Sequence, residues 1–496
     1  MTDANKSVAT VSKTQGAMIA AAKLPRTLMG GTKAMREAGT LYLPKEPAET
    51  QAAYDNRKAR STLFNAFGKT VEDMTGKVFQ KEIQLADNVP QVLQDFAEDI
   101  DLTGRHLNLF ARDLLYDGLQ VGGGYILVDA PPPPQRADKQ PATKADYIAT
   151  KWRPYLKHIP VENLIGWKST TVDGAETLTQ VRISECVTEE DGPYLEKEIA
   201  QIRVIEPGTW QTFRKSASGD QRDEWIPHAN GTNSLTKITL VPFYANRTGF
   251  MTFSPPLEKL ADTNVAHWQS QSDQRNILHV ARVPVLFAAG FDEGAKWNIG
   301  ASEAVQTTNP NAKLTYVEHT GHAIDSGDKD LENLERQMEA MGLHLLTSKK
   351  SGAQSATGEI RDDSKENSPL AMMARALEDA IECAFGYMGE YIGLGADKGG
   401  EIEVNKDFGV ASMRGDLQQL NATRAQGDLS RETLWDEMQR RDYLGPAFDP
   451  EREAQRLADE APTLAAPPGQ GMDFNAPGSG TPTRFAWNAD DVQVTD

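Results

Sequence analysis

Residues Ser254–Gly290 read SPPLEKLADTNVAHWQSQSDQRNILHVARVPVLFAAG. A serine followed by proline is a helix-start signal, because the hydroxyl can accept an orphan backbone N–H and proline needs no donor at the first helical position. One long polar helix is therefore expected from about Pro256 to Ala281. After it, the run Val285–Ala289 is strand-like, and a second such run, Lys313–Val317, follows across glycine, asparagine and proline. Residues Val283–Gly321 thus form a small excursion between helices.

Downstream, Asp330–Leu346 carries Leu331, Leu334, Met338, Met341 and Leu345 at alternating spacings of three and four. Such a seam is narrower than the stripe of a globular core helix and suits helix-on-helix or subunit-on-subunit packing. Ser348–Asn367, SKKSGAQSATGEIRDDSKEN, has no large apolar residue except Ile360, and reads as an exposed loop. Ser368-Pro369 repeats the capping signal, opening a helix to about Ile392 through Leu370, Met373, Leu377, Ile381, Phe385, Met388 and Tyr391. Glu401–Phe408 reads as a short strand, and Ser430–Leu444 and Pro450–Leu457 as closing helices.

Upstream, Tyr54–Phe79 and Leu107–Leu119 show helical periodicity. Gly122, Gly123 and Gly124 then punctuate the chain before the apolar run Tyr125–Val128, and Pro131–Pro134 form a stiff linker. From Tyr155 to Asn246 the pattern is mainly antiparallel strand, including Leu178–Val187, Glu198–Ile205, Trp210–Arg214 and Ile238–Tyr244. Asp191-Gly192 and Asn230-Gly231 are read as turns between these strands. Residues 1–40, rich in small residues, and the Pro/Gly/Ala/Asp-rich stretch from Pro462 to Asp496 are both expected to be mobile. The fold class is α+β.

The chain has 496 residues, with 71 Asp and Glu against 52 Lys and Arg, so its formal net charge is −19. That acidity argues against tight, sequence-reading capture of DNA, whose affinity comes largely from clustered cations. Cys186 and Cys383 are far apart and outside any CxxC spacing, which gives neither a disulfide framework nor a zinc ribbon. No stretch approaches the roughly 20 apolar residues of a spanning helix.

Enzymatic motifs fail on spacing. Gly352–Gly358 has five intervening residues and is followed by Glu359, where a phosphate-cradling loop needs four residues and then lysine. His319 and His322 have HxxH spacing beside Glu318 but no HExxH, and read as a solvated turn. His267 and His279 are assigned to the surface or a subunit contact of the long helix. The glycines 122–124 precede a strand instead of following one, and no GxSxG occurs. No catalytic residue, cofactor or metal is assigned.

Several strings, in order, resemble the portal proteins of tailed bacteriophages, in particular a portal-like family known mostly from phage and prophage genomes. They are Tyr42-Leu43-Pro44 with Tyr54 and RKARSTLFNAFGKTVEDMTGKVF at Arg57–Phe79, PYLKHIPVENLIGW at Pro154–Trp167, LADTNVAHWQSQSDQRNILHVARVPVLFAAG at Leu260–Gly290, and Ser355–Gly389. The likeness spans most of residues 40–457. It implies a virion component assembled in the host cytoplasm: a homo-oligomeric ring, usually a dodecamer, at one capsid vertex. Its implied partners are the large terminase subunit, the major capsid and scaffold proteins, head-completion and tail adaptors, and double-stranded DNA passing without sequence specificity, with no membrane. Carried onto this chain, 41–250 becomes a wing and 396–428 a return to it. Residues 255–282 and 322–347 become stem helices around a clip at 283–321, 348–367 a tunnel loop, 368–395 the long helix behind it, and 429–460 a short crown.

On that resemblance Lys349, Lys350, Arg361 and Lys365 would brush DNA phosphates, although Glu359, Asp362, Asp363 and Glu366 beside them make the loop equally readable as merely solvated. Phe291, Asp292, Glu293 and Trp297 would contact terminase or an adaptor, and the aromatics, with Phe287, have a core role as the alternative. Leu331, Leu334, Met338, Met341 and Leu345 would pack the stem. The competing readings are a minor head or head–tail adaptor protein and a soluble enzyme with a scattered site.

Overall fold

The computed structural model describes residues 7–136, 142–216, 224–282, 285–291, 309–317, 322–343, 368–406, 415–427, 429–440, 443–445 and 448–460. The chain divides into two compact units, Met1–Phe408 and Gly409–Asp496.

The first unit opens on helices, where a mobile segment was expected. α1 (Lys13–Met29) and α2 (Gly31–Ala38) are ordered because Ser12 caps α1, accepting from the Gln15 amide, and Met18, Ala22, Leu28 and Met35 are buried. Arg26 of α1 hydrogen-bonds Gln120 and pairs with Asp117 and Glu162. The expected single helix Tyr54–Phe79 is instead two, α3 (Gln51–Arg60) and α4 (Ala66–Val78). The break follows from Asn65, whose side chain accepts from the Gly68 amide and starts a new N-terminus.

β1 (Gln84–Leu85), α5 (Gln91–Ala97) and α6 (Leu107–Val121) lead into β2 (Gly123–Asp129). Gly122 ends α6 at φ +101°, and a Cβ there would lie 2.1 Å from the Ser254 carbonyl oxygen. Only glycine fits that turn. β2 is central: Ile126 and Val128 enter one core with α3–α6, while Tyr125 and Leu127 enter a second with Met18 and Ala22 of α1.

After α7 (Lys144–Ala149), β3 (Tyr155–Ile159) pairs antiparallel with one edge of β2. β4 (Leu164–Val172), β5 (Ala175–Glu190), β6 (Glu196–Glu206), β7 (Thr209–Lys215) and β8 (Trp225–Thr232) form an antiparallel meander in sequence order. Asn230-Gly231 lies within β8 and not in a turn, because Gly231 pairs with Trp210 and leaves room for its indole. β9 (Leu240–Tyr244) closes the other edge of β2, and β10 (Arg247–Gly249) pairs with β11 (Thr252–Phe253).

The rest of the unit is α8 (Glu258–Ala281), β12 (Val285–Ala289), β13 (Lys313–Val317), α9 (His322–Leu343), α10 (Pro369–Tyr391) and β14 (Ile402–Glu403). α8 starts later than Ser254-Pro255 suggests because the Ser254 hydroxyl accepts from Asn246 Nδ2 at 3.0 Å and caps nothing. At α10 the same signal works, Ser368 Oγ accepting from the Ala371 amide at 3.1 Å. The second unit contains α11 (Gly415–Ala425), α12 (Arg431–Arg440) and α13 (Pro450–Glu460), with Trp435 edge-on to Phe448 at 5.8 Å.

Candidate functional site

α8, the β12–β13 pair and α9 form one continuous excursion from the first unit. At 24 and 22 residues, the helices extend about 36 and 33 Å. They run antiparallel: Thr263 reaches Met341, His267 reaches Glu335, Ser270 reaches Asp330, and Gln274 reaches Asp328 and the Ile324 carbonyl. Rising numbers on one helix meet falling numbers on the other. At the far end Val285 pairs with Val317 and Ala289 with Lys313, so strand pairing joins the two helices.

The excursion is rooted by α8's other faces. Leu260, Ala261, Asn264 and Trp268 are buried. Asn264 donates to the Phe64 carbonyl at 2.7 Å and accepts from the Phe67 amide at 3.0 Å, supplying partners that the start of α4 lacks. Ser272 accepts from Ser61 Oγ at 2.8 Å, and Arg57, buried against Glu49 at 2.9 Å, lies 3.5 Å from Asp273. Hydrogen bonds from the Arg57 guanidinium hold the Glu49 carboxyl below its ordinary range. On α9, Met338 is buried, Met341 packs on the core and Gly342 sits beside Thr70.

α10 lies in the core along most of its length, and its Glu378 accepts from the Val404 amide and from Lys406 Nζ, while Glu382 accepts from the Ile402 amide. These bonds set β14 beside β1. α9 ends beside the core at Met341 and Gly342, and α10 starts from a buried N-cap at Ser368.

The surface of α9 is acidic. It contains Asp325, Asp328, Asp330, Glu332, Glu335 and Glu339 against Lys329 and Arg336. Three of the acids hold α8, as above. The other three, Asp325, Glu332 and Glu339, are exposed at seven-residue intervals, which places them along one face.

Of the residues singled out from sequence, Lys349, Lys350, Arg361, Lys365, Asp292, Glu293, Trp297 and Leu345 lie outside the described residues. Phe291 is partly buried, and Phe287 is 55% exposed on β12 opposite Thr315. Within the seam, Met338 is buried but Leu331 and Leu334 are only partly so, because polar side chains occupy that end of the helix contact. His267 is fully buried and tilted against Phe64 at 5.2 Å, which corrects its surface assignment; His279 is exposed. The contact between the long helices was expected from the α9 seam, but the residues that make its α8 side were not named because that side is hydrophilic. The signal was present: His267, Ser270 and Gln274 recur at the three- and four-residue spacing usually sought among apolar residues.

A family model described as "Domain of unknown function (DUF4055)" matches residues 256–392, from just before α8 to the C-cap of α10. No curated protein matches the chain. Among solved structures it is similar to a chain of "Neck of empty GTA particle computed with C6 symmetry", with 11% identity, a TM-score of 0.42, and coverage of 77% of this chain and 90% of that one. A chain of "Virion of native gene transfer agent (GTA) particle" gives 11% identity, a TM-score of 0.37, and coverage of 74% and 87%. A chain of "Neck of native GTA particle computed with C12 symmetry" gives 10% identity with the same TM-score and coverage.

Proposed function

We propose that this chain is a phage portal subunit, forming with its copies the channel through which double-stranded DNA enters and leaves a capsid. The observation that carries the reading is the rooted excursion: two long antiparallel helices joined at their far end by a strand pair and followed along the chain by α10, which lies in the core. It supports the stem and clip in the order that the sequence resemblance implies. The subunit would act as a docking site for the terminase motor, then for head-completion and tail proteins, in a virion.

The acidity suits that task. A wall that conducts a polyanion must avoid gripping it, and repulsion between carboxylates and phosphates acts only within about a Debye length, roughly 8 Å at physiological salt. An acidic α9 surface lowers friction at close approach without opposing passage at a distance.

Negative-stain images and native mass measurement of the purified chain test the reading. Rings with a central hole, ten or so times heavier than the subunit, are expected; a compact particle without a hole ends it. Deleting Ser351–Lys365 separately tests the loop assignment. Rings should still assemble while packaging or genome retention fails, and normal phage yield would remove the assignment.

A further inference from the structure

A cavity of about 1330 Å³ lies in the first unit, apart from the helical excursion, bounded by α5, the end of β2, Pro131–Pro133, α7, the start of β3, the strands β6–β8 at Arg203, Trp210 and Gly231, and the C-terminal end of α10. It exceeds the roughly 300–1,000 Å³ of common small-molecule pockets. We propose that it binds a short peptide segment of another protein, one that carries an aromatic side chain flanked by carboxylates.

Its aromatic walls are fixed in advance. Trp152 donates from Nε1 to the Pro131 carbonyl at 2.7 Å and meets Tyr147 edge-on at 5.1 Å, while Phe96 lies under the Arg153 guanidinium at 5.3 Å. A flat side chain entering between them would find little to reorder. The rim is also apolar: Ile148 is 68% exposed and Val92 36% exposed.

The charges divide between floor and rim. Arg203 on the floor is neutralised by Asp129 at 2.6 Å and Glu185 at 3.1 Å, and Arg153 by Asp99 at 2.8 Å. Lys144 and Lys151 at the rim are exposed, and their side chains have no hydrogen bond or ion pair among the described residues. Lys151 is held at φ +51°, a conformation that costs a non-glycine residue about 1–2 kcal/mol, by a turn in which the Trp152 amide donates to the Tyr147 carbonyl at 3.0 Å. Two unspent cations beside exposed aliphatic side chains, on a chain of net charge −19, call for a ligand that is anionic and apolar together.

Phosphate chemistry fits less well. At the N-terminus of α7, Asp146 Oδ2 already accepts from the Thr143 amide and hydroxyl, each at 2.7 Å, so a carboxylate stands where an anion would sit. The proline wall supplies carbonyl acceptors and no N–H donors, which a peptide backbone complements and a phosphate does not.

The test pans a random-peptide display library over the immobilised full chain, then measures binding of synthetic copies of the enriched peptides. Peptides with an aromatic residue between Asp or Glu are expected. Their affinity should fall by about tenfold or more, and lose most of its salt dependence, in the Lys144→Glu/Lys151→Glu double variant, whose exposed and unpaired positions leave folding untouched. A second variant, Ile148→Asn, removes the apolar contact without adding charge and should weaken binding without altering that salt dependence. The proposal is overturned by absence of enrichment, by enriched peptides of other composition, by equal binding to the double variant, or by displacement with millimolar deoxynucleoside triphosphate. None of these readouts depends on whether the chain forms rings.

Discussion

The Nε2 atom of His267 on α8 lies 3.2 Å from Oε1 of Glu335 on α9, joining a fully buried imidazole to a carboxylate that is 45% exposed. The pair fixes the register of the two long helices at the depth where the apolar contact around Met338 gives way to the polar one around Ser270 and Gln274. Replacing His267 with alanine removes both the hydrogen bond and the ring packed against Phe64, and should cost about 2–4 kcal/mol of apparent stability in urea melts. Glu335→Gln keeps an acceptor at the same place and should cost under about 1 kcal/mol. Equal losses from the two would show that the pair, and not the buried ring, dominates the contact.

Gly122 and Ser254 pose a steric demand. An added Cβ would sit 2.1 Å from the Ser254 carbonyl oxygen, on a backbone already at φ +101°. Gly122→Ala should therefore cost above about 3 kcal/mol and leave little soluble chain. Gly76, inside α4 with no heavy atom within 4 Å of the corresponding position, is the control. Gly76→Ala should raise stability by about 0.5–1 kcal/mol. Comparable soluble yields from the two variants would contradict the packing of the α6–β2 turn on the connector that leads to α8.

These two sites show what the sequence made legible. The glycine triplet marked a boundary, and the boundary is there, but its partner lies far along the chain and no local pattern points to Ser254. Ser368-Pro369 was readable because its cap is local, whereas Ser254-Pro255 misled because Asn246 takes the hydroxyl. α1 was missed since its buried stripe, Gln15, Met18, Ala22, Pro25 and Leu28, has helical spacing but little hydrophobicity. Of the strand meander, β5, β6 and β7 were legible in the sequence, whereas β4 was not named and Asn230-Gly231 of β8 was read as a turn. The cavity beside Trp152 was not legible, because its walls come from eight separate helices and strands and its chemistry resides in which cations remain unpaired.

Acid should act through Glu185. Burial pushes its carboxyl upward, yet Arg203 and Lys157 outweigh that, and its pKa in the folded chain lies below the ordinary value. A depressed carboxylate contributes stability that is fully present above the unfolded value, about 4.3, and is lost as pH falls through the folded one. Glu185→Gln should therefore destabilise the chain by about 3 kcal/mol at neutral pH, where it breaks a buried charge cluster. The gap between variant and parent should close below about pH 4. Urea midpoints measured from pH 7 to pH 3 check this, and a gap that stays constant would mean that Glu185 acts by packing alone.

The acidic face of α9 gives the proposed function its most direct electrostatic consequence. Asp325, Glu332 and Glu339 are exposed on one face and, unlike Asp328, Asp330 and Glu335, are not spent on holding α8. Changing all three to lysine reverses the sign of that face without touching the helix contact, so stability should move by less than about 0.5 kcal/mol for each change. Each new cation that meets a phosphate should add about 0.9 to the slope of log affinity against log salt. The variant should retain linear double-stranded DNA in gel-shift assays at low salt and release it as salt rises, while the parent chain retains none. If the face lines a channel, the same variant should slow packaging, since a wall that grips converts sliding into repeated escape. Unchanged packaging in a variant that does bind DNA would place this face of α9 away from the path of the DNA.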